Sequence, residues 1–351
     1  MQGTQHSQYM HRCLQLARLA TGNTFPNPLV GAVLVHNHRI IGEGFHYQAG
    51  LPHAEVNCIN SVAVSDKHLI PHSTLYVSLE PCAHFGKTPP CSHLIIQHKI
   101  PRVVIGCTDN FALVAGKGIE QLKAAGIEVL VGVLEHECWQ LNRSFFYYQA
   151  KKLPLVTAKW AATANGKAAG TGQERLLITN AATNIFMHQL RATAQAIVVG
   201  ASTVVADNPL LTVRWGLRKS PMRFIWDRNN ICTGREKVFL QGPATLVFVK
   251  KENTKLPSHI QQIICTSADG IDEIITYAAE QKLHHIWLEG GPTYQQLWLQ
   301  ANAVQVIYTA VNNALTVPDG LPAPTVPTTF GKEDQYFLGN CTITQYQLLH
   351  A

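Results

Sequence analysis

No apolar run in this 351-residue chain reaches the roughly 18 residues needed to span a bilayer. The opening segment, residues 1–9, also lacks the charged-then-apolar layout of an export signal. Together these absences predict a soluble, cytoplasmic protein with no membrane partner. Charged side chains are sparse, 14% against 46% hydrophobic, so a sizeable core is available and global disorder is excluded. The surplus of 28 basic over 22 acidic residues is mild and dispersed. It suits a small anionic ligand such as a phosphate, or weak contact with nucleic acid, and does not choose between them. A basic stripe interleaved with aromatics, which nucleic-acid binding calls for, is missing. Internal repeats and low-complexity tracts are missing too. Nine cysteines, Cys13, Cys58, Cys82, Cys91, Cys107, Cys138, Cys232, Cys265 and Cys341, are too scattered and too odd in number for a disulfide framework. Most are expected to be small buried apolar residues.

What is present is an alternation of strands and helices, long enough for two domains. The spacing predicts a helix over 9–20, a break at 21–28, and a hairpin of strands 30–35 and 40–46 turning at Asn37–His38. A helix over 53–64 starts just after Pro52. Strand 75–79, helix 91–98, strand 103–106, helix 118–125 and strand 129–133 follow, then an aromatic helical stretch over 135–150. After a junction at 151–154 the alternation restarts. Strands are predicted at 155–161, 196–200, 223–227, 245–249, 285–289, 304–309 and 342–348, with helices at 182–192 and 293–300. Residues 165–166 read as a turn and 317–329 as a surface loop. The pattern is an α/β class built on mostly parallel or mixed sheets, divided at 1–148 and 149–351.

Three pieces of the first half carry chemistry: Pro52-His53-Ala54-Glu55 at a helix start, Glu80-Pro81-Cys82 at a strand end, and Cys91 opening the next helix. One imidazole and two thiolates suit Zn²⁺. Glu55, two residues after His53, stands beside such a metal without ligating it. It can take a proton from a bound water and return it to a leaving amine. His-x-Glu followed by Pro-Cys and a second cysteine is the layout of zinc-dependent base deaminases. Here eight residues separate Cys82 from Cys91, where the nucleic-acid versions have two. A closed structural zinc site, with His84 or His93 as fourth ligand, is the rival reading, and it leaves Glu55 without a purpose.

These residues and their surroundings resemble a family of bacterial bifunctional riboflavin-biosynthesis enzymes. The resemblance runs through Pro26-Asn27-Pro28-Leu29-Val30-Gly31-Ala32-Val33, Gly42-Glu43-Gly44-Phe45-His46 and Pro52-His53-Ala54-Glu55. It continues in Glu80-Pro81-Cys82-Ala83-His84-Phe85-Gly86-Lys87-Thr88-Pro89-Pro90-Cys91, whose long cysteine spacing is the family's own. It implies a cytidine-deaminase-like three-layer N-terminal domain that removes the 2-amino group of 2,5-diamino-6-ribosylamino-4(3H)-pyrimidinone 5′-phosphate. By the same resemblance His53, Cys82 and Cys91 are zinc ligands and Glu55 the proton shuttle. Asn27, His46, His84 and Lys87 lie around the pyrimidine and its ribose phosphate. At Asp109-Asn110-Phe111-Ala112 the chain departs from the family, Phe111 replacing an asparagine.

The second half resembles the same family's reductase domain, dihydrofolate-reductase-like and dependent on NADPH. The matching stretches are Leu190-Arg191-Ala192, Val199-Gly200, residues 203–214 and Glu289-Gly290-Gly291-Pro292. The resemblance implies hydride transfer to C1′ of the opened ribose, giving a ribityl chain. It puts Arg191, Leu211, Arg214 and Glu289 on the substrate side, the two arginines converging on the phosphate. Thr203, Asp207, Gly290 and Gly291 fall on the cofactor side, with Arg228 a candidate for the cofactor's 2′-phosphate. Asn165 stands for a usual aspartate, Leu177 for a usual tryptophan, and a proline-lysine-glycine signature is missing around 309–315. The leading expectation is therefore a bifunctional enzyme acting on a small pyrimidine ribose phosphate, with homo-oligomers allowed. The alternatives are a deaminase with an inactive second half, a nucleic-acid base deaminase, and a non-enzymatic zinc module.

Overall fold

The structure, a computed structural model, describes residues 2–83, 89–109, 116–170, 176–215 and 219–349. It divides into two compact units, Met1–Lys151 and Lys152–Ala351. The first contains α1 (Gln2–Leu19), β1 (Gly31–His36), β2 (Arg39–Phe45), α2 (Ala54–Asn60), a 3-10 segment (Val64–His72), β3 (Thr74–Leu79) and α3 (Cys91–Gln97). It is completed by β4 (Arg102–Cys107), α4 (Lys117–Ala124), β5 (Glu128–Val131), α5 (Glu135–Leu141) and α6 (Arg143–Lys151). The sheet order is β2-β1-β3-β4-β5. β1 runs antiparallel to β2 and β3, while β3, β4 and β5 are parallel. Asn37 and His38 both take positive φ, 44° and 64°, as a two-residue hairpin turn requires.

Side-chain alternation along β1 divides the core. Ala32 and Leu34 pack with Ala54 and Cys58 of α2, Ile95 of α3 and Leu122 of α4. Val33 and Val35 point the other way, to Met10, Cys13 and Leu14 of α1, Cys138 of α5 and Phe146 of α6. The result is helix, sheet and helix in three layers, which explains why the strands read as continuous apolar runs. All the cysteines are unpaired, and all but Cys82 are buried. The helical stretch expected over 135–150 is two helices, broken at Asn142, and the helix expected over 53–64 ends early and gives way to the 3-10 segment.

The second unit contains β6 (Leu155–Thr163), β7 (Lys167–Ala169), α7 (Ala181–Arg191), β8 (Ala196–Gly200), α8 (Ala201–Asp207), β9 (Met222–Asp227), α9 (Lys237–Leu240) and β10 (Thr245–Val249). After these come β11 (Gln261–Ile264), α10 (Ile271–Glu280), β12 (His285–Leu288), α11 (Pro292–Gln300), β13 (Val306–Asn312), β14 (Leu321–Pro322), β15 (Phe330–Leu338) and β16 (Cys341–Leu348). Nine strands form one sheet in the order β11-β10-β9-β8-β12-β6-β13-β16-β15. It is parallel from β11 to β13, and antiparallel where β16 and β15 extend it. β14, inside the 317–329 region expected to be loop, pairs with β7 in a small separate ribbon. Because β12 inserts between β6 and β8, the chain leaves β8 and β12 in opposite directions across the sheet. That creates a switch-point crevice at their C-terminal ends, where open α/β sheets bind ligands. Among the described residues no helix is long and apolar enough to cross a membrane.

Candidate functional site

His53 occupies the N-cap position of α2 in an extended conformation, and its side chain makes no capping bond to the helix. Cys82 lies two residues beyond Glu80 at the end of β3, and Cys91 is the first residue of α3. Parallel pairing of β3 with β4 and the packing of α2 beside α3 bring the three together. His53 Nδ1 lies 3.6 Å from Cys82 Sγ and 3.3 Å from Cys91 Sγ, and all three ligand atoms lie within 4.8 Å of one another. A tetrahedral zinc with ordinary Zn–S and Zn–N bonds separates such atoms by about 3.6 Å. The donor set and its spacing therefore fit Zn²⁺. The Cys91 backbone N–H donates to Cys82 Sγ at 3.3 Å. Hydrogen bonding from the Cys91 thiol holds the Cys82 thiol well below its usual pKa, against the cost of burial.

Glu55, in the first turn of α2, is buried with 3% of its surface exposed. Burial, and then the neighbouring Cys82, push its carboxyl up to about 6, with His53 acting in the opposite sense. Among the described residues the candidate metal group comprises only His53, Cys82 and Cys91. His93 is exposed on α3 and does not belong to it; His84 and Lys87 lie outside the described residues, as does Phe111.

A cavity of about 100 Å³ opens beside the cluster, lined by Asn27, Pro28, Val30, His46, His53, Ala54, Glu55 and Glu80. His46 Nδ1 donates to the Pro52 carbonyl at 3.1 Å, which leaves Nε2 to accept from Asn27 Nδ2 at 3.0 Å. Burial lowers the His46 pKa, the Pro52 bond opposes that, and nearby His53 adds to it. The ring therefore stands neutral, edge-on to His53 at 5.5 Å. Glu80 belongs to the sequence motif, but its role was not read there. Its carboxylate accepts from the backbone N–H groups of Asp109, Gly116, Gly118 and Ile119, at 3.0 to 3.4 Å. It thus ties the strand end that carries Cys82 to the start of α4.

In the second unit, Thr203, Gly290 and Gly291 meet at the β8/β12 crevice. The Gly291 N–H donates to Thr203 Oγ1 at 2.9 Å, and Gly290 holds a φ of 112° that side-chain-bearing residues avoid. Arg191 grips Glu289 with two nitrogens, Nε at 3.1 Å and Nη2 at 2.7 Å to both oxygens, while its Nη1 donates to the Thr212 carbonyl at 2.8 Å. Trp287 Nε1 is a third donor to Glu289. Burial would raise the Glu289 pKa, but the charges of Arg191 and then Lys159 hold it at about 2. The Arg191 fork therefore faces Glu289, and Arg214 has a different neighbour: its Nη2 lies 3.2 Å from His188 Nε2 and its guanidinium 5.5 Å over Trp215. Sequence reasoning missed His188, which burial, Arg191 and Arg214 push down to about 4. Leu211 is buried with a φ of 55°. Asp207 closes α8 and Arg228 follows β9, both exposed.

A family model for the cytidine and deoxycytidylate deaminase zinc-binding region matches residues 3–107, and one for the RibD C-terminal domain matches residues 154–314. The riboflavin biosynthesis protein RibD of Aquifex aeolicus is 42% identical over 81% of this chain and 80% of its own length. That of Bacillus amyloliquefaciens is 38% identical over 86% and 82%. This chain belongs to the RibD family. Its fold agrees with a diaminohydroxyphosphoribosylaminopyrimidine deaminase/5-amino-6-(5-phosphoribosylamino)uracil reductase from Thermotoga maritima, at a TM-score of 0.89 and 34% identity, over 99% of this chain and 100% of that one. Acinetobacter baumannii RibD aligns at 0.84 and 28% identity, over 98% and 99%. A RibD-family chain joins a zinc-dependent deaminase domain to an NADPH-dependent reductase domain. The His53–Cys82–Cys91 cluster falls inside the matched zinc-binding region.

Proposed function

We propose that this chain catalyses two consecutive steps on one pyrimidine ribose phosphate. The first is hydrolytic loss of the 2-amino group of 2,5-diamino-6-ribosylamino-4(3H)-pyrimidinone 5′-phosphate; the second is NADPH-dependent reduction of the ribosyl group to ribityl. The observation that carries the reading is buried Glu55 standing beside a three-ligand cluster with the spacing of zinc. When bound by His53, Cys82 and Cys91, zinc supplies the acidity that makes water a nucleophile at neutral pH. Glu55 takes the proton that water gives up and passes it to the departing amine, so that water adds to the ring carbon and ammonia leaves. Asn27 presents a carboxamide with both donor and acceptor to a ring edge, and neutral His46 fixes its direction. His84 and Lys87 are assigned to the ribose-phosphate side of the same substrate.

In the second unit NADPH supplies hydride to C1′ of the opened ribose. Thr203, Asp207, Arg228, Gly290 and Gly291 are assigned to the cofactor, with Thr203 bracing the glycine turn. Arg191, Leu211, Arg214 and Glu289 are assigned to the substrate, Arg191 acting largely through Glu289. The protein is read as acting in the cytoplasm on a small molecule rather than on nucleic acid. One rival keeps the deaminase and makes the second unit inert. Its support is that Asn165 is engaged with Thr163 and Val317, and Leu177 is 75% exposed. Following ammonia release and NADPH consumption separately decides between them. NADPH turnover on the deaminated substrate is expected, and its absence in well-folded protein would leave only the first activity.

A further inference from the structure

Between α5 and α6 the chain pauses for a single residue, Asn142, at φ −112° and ψ 15°. Its backbone serves both helices, donating to the Trp139 carbonyl and accepting from the Phe146 N–H, both at 3.0 Å. Its side chain caps neither. Buried with 3% of its surface exposed, it reaches 113 residues back along the sequence to Leu29. There Oδ1 accepts from the Leu29 N–H at 2.7 Å and Nδ2 donates to the Leu29 carbonyl at 2.8 Å. A carboxamide offers one acceptor and one donor side by side, so it pairs with a peptide group as a strand neighbour would. Aspartate brings two acceptors, and alanine brings nothing.

Leu29 needs such a partner. It follows Pro26-Asn27-Pro28, a segment in which two residues have no N–H to give to a sheet. The segment is tied elsewhere by the Asn27 N–H to the Thr24 carbonyl at 2.7 Å and the His46 N–H to the Val30 carbonyl at 3.0 Å. Asn27 itself faces the cavity and bonds His46, whose other nitrogen bonds Pro52 beside His53. Asn142 is therefore hydrogen-bonded to Leu29, Leu29 is joined to Asn27 through the covalent backbone of Pro28, and Asn27 is hydrogen-bonded to His46 at the wall of the metal-side cavity. Asn142 does not line that cavity.

We propose that Asn142 is a positioning residue for substrate binding in the first unit: it fixes the Pro26–Leu29 segment and so aims the Asn27 carboxamide at the pyrimidine. This rests on the deaminase reading and on Asn27 contacting the ring. Asn142→Asp keeps the acceptor for Leu29 N–H but sets an oxygen against the Leu29 carbonyl; Asn142→Ala removes both bonds.

The test measures the affinity of zinc-loaded Glu55→Gln protein for the diamino-ribosylamino-pyrimidinone phosphate, and kcat and KM in protein that keeps Glu55. Either Asn142 variant should weaken binding and raise KM about tenfold, with kcat within about threefold, zinc content unchanged and NADPH consumption unaffected. In an Asn27→Ala background the same change should cost no more than about twofold, because the effect passes through Asn27. An equal cost in both backgrounds overturns the proposal. Loss of zinc together with affinity in both variants also overturns it, since Asn142 would then merely hold the unit together. If the Glu55→Gln protein with Asn142 intact does not bind the substrate at all, the deaminase reading itself fails and takes this inference with it.

Discussion

Arg191 and Glu289 lie in the second unit with 11% and 14% of their side chains exposed, joined by a two-pronged ion pair. At that depth a charge is kept only with its partner, and removing one partner strands the other. Glu289 is ionised in the fold down to about 2, against an ordinary 4.5. Its folded pKa is depressed, so its stabilising contribution is complete above 4.5 and is lost as pH falls from 4.5 toward 2. Melting temperatures of the second unit should therefore fall more steeply from pH 4.5 down toward pH 2 in the wild type than in Glu289→Gln. Parallel curves would show that the pair contributes nothing there. The matched residues Arg191 and Glu289 were legible from sequence, but their mutual grip was not. Two arginines read as a phosphate clamp, whereas the fork of one is turned to a carboxylate 98 residues away. Pairings over such distances are set by the sheet order, which no local pattern records.

The elements that place the metal cluster were the most readable. Pro52 announces α2, an apolar run announces β3, and Asn37–His38 marks the hairpin. Less readable were features that depend on a distant partner. The pattern of residues 135–150 contains no breaker, and the interruption falls at Asn142, whose side chain bonds Leu29. β15 carries Lys332, Glu333, Asp334 and Gln335 in succession and exists through pairing with β16. α10 has a local signature, with Ile271, Ile274 and Ala278 at helical spacing on one buried face. At the start of α4, Gly118 lies so close to the strand end that a Cβ would sit 2.0 Å from the Pro81 carbonyl oxygen and 3.2 Å from Glu80 Oε1. Because backbone cannot yield as a side chain can, Gly118→Ala should displace Glu80-Pro81-Cys82. We expect zinc affinity, measured by competition with a chelating dye, to drop about tenfold or more, the range found when metal-supporting contacts are lost. Unchanged affinity would mean that α4 and the ligand segment move independently.

Each of the two units has its own sheet, its own core and its own candidate chemistry. That independence makes the chain's two reactions separable by a reagent that touches one site. Dialysis against a chelator should abolish ammonia release while NADPH consumption on the deaminated substrate persists, and added zinc should restore the first. Simultaneous loss of both would place the metal in service of the whole fold rather than one reaction. Glu55, the buried carboxylate beside His53, Cys82 and Cys91, carries the proton transfer on which the proposed deamination depends. The most direct measurement compares ammonia release by the wild type and by Glu55→Gln at equal zinc content. A fall of about a hundredfold to ten-thousandfold in kcat is expected, since the amide keeps the shape and loses the proton transfer. Equal rates at equal zinc content would contradict it.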